Sequence, residues 1–415
     1  MKNLKLLLSY LLTIALVVTL SNCGDDDDPA LTLSSLTAGS IDLNGASSPS
    51  NVPMDATITA TFSTGVDAST ANASTITLTR DYDDAQLPLD ITVSGNTVTI
   101  DPQDDLGSGT LYILKIAGLE SSAGQSLSGS IERNFTTAGA FSPAGVVAHY
   151  TFEDSPNDVV GSYDPTAGDI VDVTYVASRN TAAGKAASFN GETTIIEVPN
   201  ADDFMTYGDF AVSFWVKADA AKNGHFVFGL GAWKGFQFEI EGSWEVVKFA
   251  TQYEQGDETM DSEDARFLGD GQTKDNGGWQ GWTFQKDVTA SGGVGETYFK
   301  DKWAHVVITY DAALKINTMY INGEKVKEHD FNLWPNDSKK KTIVGVAYAG
   351  NEAPGNEMAF GFIQARDNRI ITDTWADYAS VDAGGHFKGL LDDFRIFDHP
   401  LTATEVLLMY NSEKP

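Results

Sequence analysis

The sequence predicts an all-β chain folded as two successive sandwiches, and three observations carry that prediction. Short runs that alternate apolar and polar residues follow one another from Pro29 onward. They are rich in Val, Ile, Thr, Phe and Tyr and are separated by clusters of Gly, Asn, Asp and Ser. Long helical periodicity is missing. Finally, of the 415 residues, about 390 remain once an N-terminal targeting segment is set aside, more than a single core usually holds.

The N-terminus explains itself first. Lys2 and Lys5 precede an apolar run from Leu6 to Leu20. That length suits the core of a signal peptide and is short for a membrane span. The run ends in Leu20-Ser21-Asn22-Cys23, and Cys23 is the one cysteine of the chain. This resembles the lipobox of bacterial lipoproteins. The resemblance implies a signal peptide over 1–22, cleavage before Cys23 and lipidation of its thiol and new amine. Several acyl chains on one residue anchor firmly, at about 0.8 kcal/mol per buried methylene. Asp25 to Asp28 follow. Four adjacent carboxylates repel one another and make a solvated tether over 23–30. An acidic stretch in this place is similar to the surface-export signals of Bacteroidota lipoproteins, which implies an outer-membrane, lipid-anchored protein facing the cell exterior.

The formal net charge is −31, from 27 basic and 58 acidic residues. Loss of the signal peptide, with two lysines and no acid, deepens it. Such a chain repels polyphosphates, which excludes nucleic acid as a partner. With a single cysteine there is no intrachain disulfide, so stability has to come from burial.

The first sandwich occupies 31–139. "ATITATFS", "STITLTR", "NTVTI" and "LYILKIAGL" read as strands. Ile58, Ala60 and Phe62 share one face, and "SGN" forms a hairpin turn before Val98 and Ile100. The stretch 136–145, "TTAGAFSPAG", interrupts the strand pattern and marks a boundary. The region resembles bacterial Ig-like domains through "NVPMDATITATFSTGVDAST", "SGNTVTIDPQDDLGSGTLYILKIAGLESSAGQSLSG" and a closing "NFTT". The resemblance implies a spacer.

The second sandwich occupies 146–412. In "FAVSFWVKA", Phe210, Val212, Phe214 and Val216 point one way, against Ala211, Ser213, Trp215 and Lys217. In "WAHVVITYD", Ala304, Val306, Ile308 and Tyr310 oppose Trp303, His305, Val307 and Thr309. One face of each strand can fill the space between two sheets, while the other carries Trp, His and Tyr and is no plain solvent face. The last segment, "LTATEVLLMYNS", is the helix candidate. Thr402 stands as N-cap, Glu405 completes a capping box, and Val406, Leu407 and Tyr410 follow. "VVAHYTFEDSPNDVVG", "AASFNGETTIIEVPNADDF", "DKWAHVVITYDAALKINTMYINGEKVKE" and "GLLDDFRIFDHPLTATEVLLMY" resemble, in order, the strands of a laminin-G-like, concanavalin A-like jelly roll. That fold serves lectins, peptide binders and enzymes alike, so the resemblance sets no activity.

Candidate chemistry follows. The resemblance implies one structural Ca²⁺ tying the first strand to the last, with Glu153, Asp158 and Asp392 at the matching positions. Asp392 has the parity of Phe394 and Ile396, which predicts an inward carboxylate in need of a cation or strong donors. Histidine spacing gives zinc no support, since no pair has an H-x-x-x-H or H-E-x-x-H arrangement. Laminarinase-type glucanases share the fold, and "FEIEGSWE" places Glu239 and Glu241 at i and i+2. The third acid, Glu245, lies beyond a Gly242-Ser243 turn, out of line with them.

Sugar binding fits better, because aromatic rings stack on sugar faces while polar side chains bond their rims. The stretch 231–303 carries Trp233, Trp244, Tyr253, Trp279, Trp282 and Tyr298 among polar residues. A second insertion, "QARDNRIITDTWADYASVDAGGHF", adds Arg366, Trp375 and Tyr378. Trp233, Trp244, Tyr253, Trp279, Trp282, Arg366 and Trp375 are the candidate ligand-binding residues. The sequence reading is a surface lipoprotein that holds a polysaccharide, similar to the glycan-binding lipoproteins that accompany outer-membrane polysaccharide importers. A protein-binding adhesin and a glycoside hydrolase are its alternatives.

Overall fold

The computed structural model describes residues 30–45, 47–350, 355–367, 369–380 and 385–415. Cys23 and the aspartates of the tether lie outside them. The described chain divides between Gly139 and Ala140 into two compact units. No helix among the described residues is long and apolar enough to cross a membrane.

The first unit is a sandwich of two antiparallel sheets. Its strands are β1 (Leu33–Ala38), β2 (Ile41–Asp42), β3 (Ile58–Phe62), β4 (Ile76–Arg80), β5 (Ala85–Gln86), β6 (Leu89–Ser94), β7 (Thr97–Pro102), β8 (Leu111–Ile116) and β9 (Ile131–Thr136). Among the described residues one sheet runs β2-β1-β3-β7-β6 and the other β5-β4-β8-β9. Ile58, Ala60 and Phe62 meet Val98 and Ile100 of the same sheet and Ile76, Leu78, Leu114 and Phe135 of the other in one buried core. The hairpin between β6 and β7 turns on Gly95 and Asn96, with Gly95 at φ +62°. In β8 the core face is Tyr112, Leu114 and Ile116.

The second unit is larger. Its strands are β10 (Val146–Tyr150), β11 (Ile170–Val171), β12 (Thr174–Ala177), β13 (Lys185–Asn190), β14 (Ile195–Val198), β15 (Phe210–Ala218), β16 (His225–Leu230), β17 (Phe236–Ile240) and β18 (Val247–Glu254). They continue with β19 (Met260–Phe267), β20 (Trp282–Gln285), β21 (Ala304–Asp311), β22 (Ile316–Ile321), β23 (Glu324–Asp330), β24 (Gly345–Val346), β25 (Met358–Phe360) and β26 (Lys388–Phe397), and the unit closes with helix α1 (Ala403–Glu413). One sheet runs β12-β13-β26-β15-β21-β22-β23-β20, with β10 beside β26. The facing sheet runs β11-β14-β25-β16-β17-β18-β19, with β24 beside β18.

The core between the sheets is the set that alternation marks. Phe210, Val212, Phe214 and Val216 from one sheet meet Phe228, Phe236, Phe238, Ile240 and Phe249 from the other. Phe214 contacts Phe228, Phe238 and Phe394 ring to ring, at centroid separations of 4.9, 4.9 and 6.1 Å. The first two pairs are edge to face and the third is stacked; such aromatic pairs add about 0.5–1.5 kcal/mol each beyond burial.

The two outer faces differ. The face of the first sheet that carries Ser213, Trp215 and His305 is covered by α1. Thr402 and Glu405 form the capping box that starts this helix. It buries Glu405, Val406, Met409 and Glu413, whereas Leu407 turns outward. Trp215 donates its indole N–H to Glu413 at 2.7 Å. On the second sheet, the segment from Phe362 to Tyr378 lies over β14, β25 and β16, where Phe362, Ile363, Ile371 and Ala376 build a small separate core with Ile195 and Ala359. Gly229 allows this contact: a Cβ there would stand 2.5 Å from the Ile363 carbonyl oxygen. The outer face of β17, β18 and β19 is covered at one end, where Gln237, Ala250 and Gln252 are buried beside the turn Ala232–Lys234, and opens at Lys248, Asp264 and Arg266.

Candidate functional site

Along β17 to β19 the inward residues are Phe236, Phe238, Ile240, Val247, Phe249, Ala265 and Phe267. Strict alternation therefore turns Gln237 and Glu239, then Lys248, Ala250 and Gln252, then Ser262, Asp264 and Arg266 to the outer face. Cross-strand register sets Glu239 beside Lys248, and Lys248 beside Arg266. Lys248 forms an ion pair with Glu239 and stands 4.0 Å from Asp264. Arg266 bonds Glu241 at 2.7 Å. Burial pushes the Glu239 carboxyl above the ordinary glutamate range, against the pull of Lys248.

Two cavities open on this strip. The first, about 550 Å³, is lined by Asn223, His225, Phe226, Glu239, Glu241, Thr374, Trp375 and Ser380, among others. The second, about 380 Å³, is lined by Ser262, Glu263, Asp264, Arg266, Trp279 and Trp282. Both volumes lie in the range of small-ligand sites. The ion pairs link them: Glu239 and Glu241 belong to the first, and their partners reach Asp264 and Arg266 of the second. From β16 to β19 is three strand spacings, about 14 Å.

The candidate aromatics separate into two groups. Trp375 is 43% exposed at the rim of the first cavity and stacks on Trp233, with ring centroids 5.5 Å apart and planes at 15°. Trp279, 57% exposed, stands at the second cavity, edge-on to Trp334. Trp282 lies beneath it, 9% exposed, with the Lys327 ammonium 3.1 Å from its ring centroid. Burial lowers the Lys327 pKa to about 7.

The others are spent on the fold, which corrects the expectation that they are displayed. Tyr253 is 1% exposed, packed on Tyr310 and Phe331 between the sheets, with its hydroxyl accepting a hydrogen bond from Asn317 at 3.1 Å. It has the parity of Phe249, so alternation aims it inward. Trp244, 7% exposed, folds under Lys300 and against His225 and donates to Asn223 at 2.9 Å. Tyr298 is buried near Phe267. Arg366 forks onto Glu197, Nε at 3.0 Å and Nη2 at 2.6 Å, and so clamps the covering segment to β14. Tyr378 likewise packs on Phe362 and bonds the Thr193 carbonyl.

Glu153, Asp158 and Asp392 do not come together. Glu153 accepts from the Lys185 backbone, and Asp158 accepts from the backbone N–H groups of His149 and Val160. Asp392 does not share the face of Phe394. Asp393, at φ +44°, sits in a bulge where the register with β15 shifts, and the bulge resets the alternation. Asp392 thus lies opposite Trp215, on the face under α1, where the Arg179 guanidinium meets it at 2.5 Å and Ser178 bonds it as well. Arg179 also reaches Asp393, and Arg395 bonds Glu413 at 2.8 Å. A guanidinium fills the place proposed for a cation, so these residues do not fit Ca²⁺. Among the described residues no three His, Cys, Asp or Glu side chains gather as a metal site requires.

Glu245 is exposed, in the turn between β17 and β18, apart from the strip. Sequence reasoning missed Lys248, Asp264 and Arg266. The alternation in "VKFATQYE" could have found the first. The other two sit on β19, whose core face shows only Ala265 and Phe267.

Comparison with known proteins places both units. Residues 39–137 match the family described as bacterial Ig-like domain, and residues 190–363 match the concanavalin A-like lectin/glucanases superfamily. No curated protein matches the chain. Among solved structures, the chain is similar to domain 4 of an extracellular arabinanase from Geobacillus stearothermophilus, solved with arabinotriose. Identity is 19% and TM-score 0.38, over 65% of this chain and all of that one. It is also similar to the binding domain of Paraclostridial Mosquitocidal Protein 1 (16%, TM-score 0.40, 65% of this chain and 52% of that one). A third is the receptor-binding domain of botulinum neurotoxin type G (16%, TM-score 0.36, 65% and 51%). The match spans about half the length of the two toxin domains. The chain is a bacterial Ig-like domain followed by a concanavalin A-like domain.

Proposed function

We propose that the concanavalin A-like domain binds a glycan chain across the outer face of β17, β18 and β19. One observation carries this reading. A strip of carboxylates and cations crosses three strands, with an exposed indole at each end, Trp375 and Trp279. Sugar rings offer apolar faces to the indoles and hydroxyls to the strip. In this reading residues 1–22 are a signal peptide, Cys23 carries the lipid that holds the protein on the outer membrane, and 23–30 with the Ig-like domain set the reach. The captured polysaccharide then passes to import components.

Titration calorimetry against a panel of soluble polysaccharides tests the proposal. Trp375→Ala and Trp279→Ala are each expected to weaken binding about tenfold, as loss of about 1.4 kcal/mol implies, with unchanged thermal midpoints. Wild-type affinity in both variants would refute the site.

Glycoside hydrolysis is a second reading, favoured by Glu239, whose raised pKa and place in the first cavity suit a general acid. The Lys248 and Arg266 pairs count against it, since both carboxylates are already committed. Release of new reducing ends from a bound polysaccharide would favour hydrolysis.

A further inference from the structure

The charges of the strip narrow the class of ligand. Among the described lining residues of the two cavities, the first has no lysine or arginine, and the second has Arg266. Arg266 gives its Nη2 to Glu241, and Lys248 is held between Glu239 and Asp264. His225 adds no charge near neutral pH, because burial and Lys222 lower its pKa to about 4. Proteins that recognise carboxylate or sulfate on a ligand meet it with free Arg or Lys in charge-assisted bonds. Here such a group would sit against Glu239, Glu241 and Asp264, while Glu263 of the second cavity is already paired with Lys340, on a chain whose net charge is −31. Hydroxyls meet no such cost. They donate to the outward oxygens of Glu241 and Asp264, which are part-exposed, at 31% and 43%.

Resting on the glycan reading, we infer that the groove selects uncharged polysaccharides and rejects uronate-bearing or sulfated ones. The test pairs a neutral polysaccharide that binds in calorimetry with its own sulfated or carboxymethylated derivative, at physiological salt. The derivative is expected to bind at least tenfold more weakly. Glu241→Gln, which frees Arg266 and removes one negative charge from a solvent-reachable position, is expected to narrow that gap several-fold. Equal or tighter binding of the acidic derivative overturns the inference and leaves the glycan reading standing. Failure of every polysaccharide, neutral or acidic, overturns both.

Discussion

The two outer faces of the concanavalin A-like domain carry the same kinds of groups and use them differently. Under α1, Arg179 and Arg395 meet Asp392, Asp393 and Glu413 in a setting closed to water. Across the other sheet, Arg266 meets Glu241 in reach of solvent, while Lys248 meets a largely buried Glu239. Burial makes the first set indispensable to the fold. An unpaired charge there has no water to turn to, whereas exposed pairs contribute about 0–1 kcal/mol. The Arg266–Glu241 pair, part-exposed on both sides, can be given up without unfolding.

The comparison breaks most sharply at Arg179. Arg179→Ala strands Asp392 and is expected to cost about 3–5 kcal/mol of stability in urea titration. EDTA is expected to leave the wild-type midpoint where it is, because the guanidinium already serves as the cation beside Asp392. A neutral Arg179→Ala, or a wild-type protein destabilised by chelation, would contradict the sealed clasp.

Acid sharpens the contrast next. Burial, aided by Arg395 and Arg179, holds the His305 pKa down at about 3, against about 6.5 in an unfolded chain. Between those values the unfolded state binds the extra proton, so stability is fully present above pH 6.5 and is lost as pH falls. His305→Gln is expected to reduce the slope of stability against pH between 4 and 6.5 by about 1.4 kcal/mol per pH unit. An unchanged slope would mean that His305 is not sealed.

Tyr253 provides the smallest test. Tyr253→Phe removes the hydrogen bond from Asn317 in the core and is expected to cost about 1 kcal/mol, with glycan affinity unchanged. A loss of affinity at constant stability would move the site off the outer face.

The core was legible in the residues because a two-residue repeat leaves no choice of face once strands are assigned. Phe210 to Val216, Phe236 to Ile240 and Ala304 to Tyr310 all went where alternation sends them. Alternation failed at Asp393, where one bulged residue turned Asp392 from the predicted core face to the face under α1. A bulge is set by how neighbouring strands curve, and nothing in "LLDDFRIF" states it.

The tryptophans teach the same lesson at longer range. An indole in a glycine-rich loop has an apolar ring to hide and no local rule for where to hide it. Trp244 turns under Lys300, Trp282 under Lys327, and Trp279 and Trp375 stay in solvent. Sequence alone determined two β-sandwich domains, the facing core and the capped last helix, since these follow from periodicity and turn chemistry within a few residues. The tertiary structure decided which face stays open, which rings reach it and which charges are sealed. Each of those depends on segments far apart in the chain, Ile363 on Gly229 and Arg179 on Asp392, meeting only when both sheets have closed.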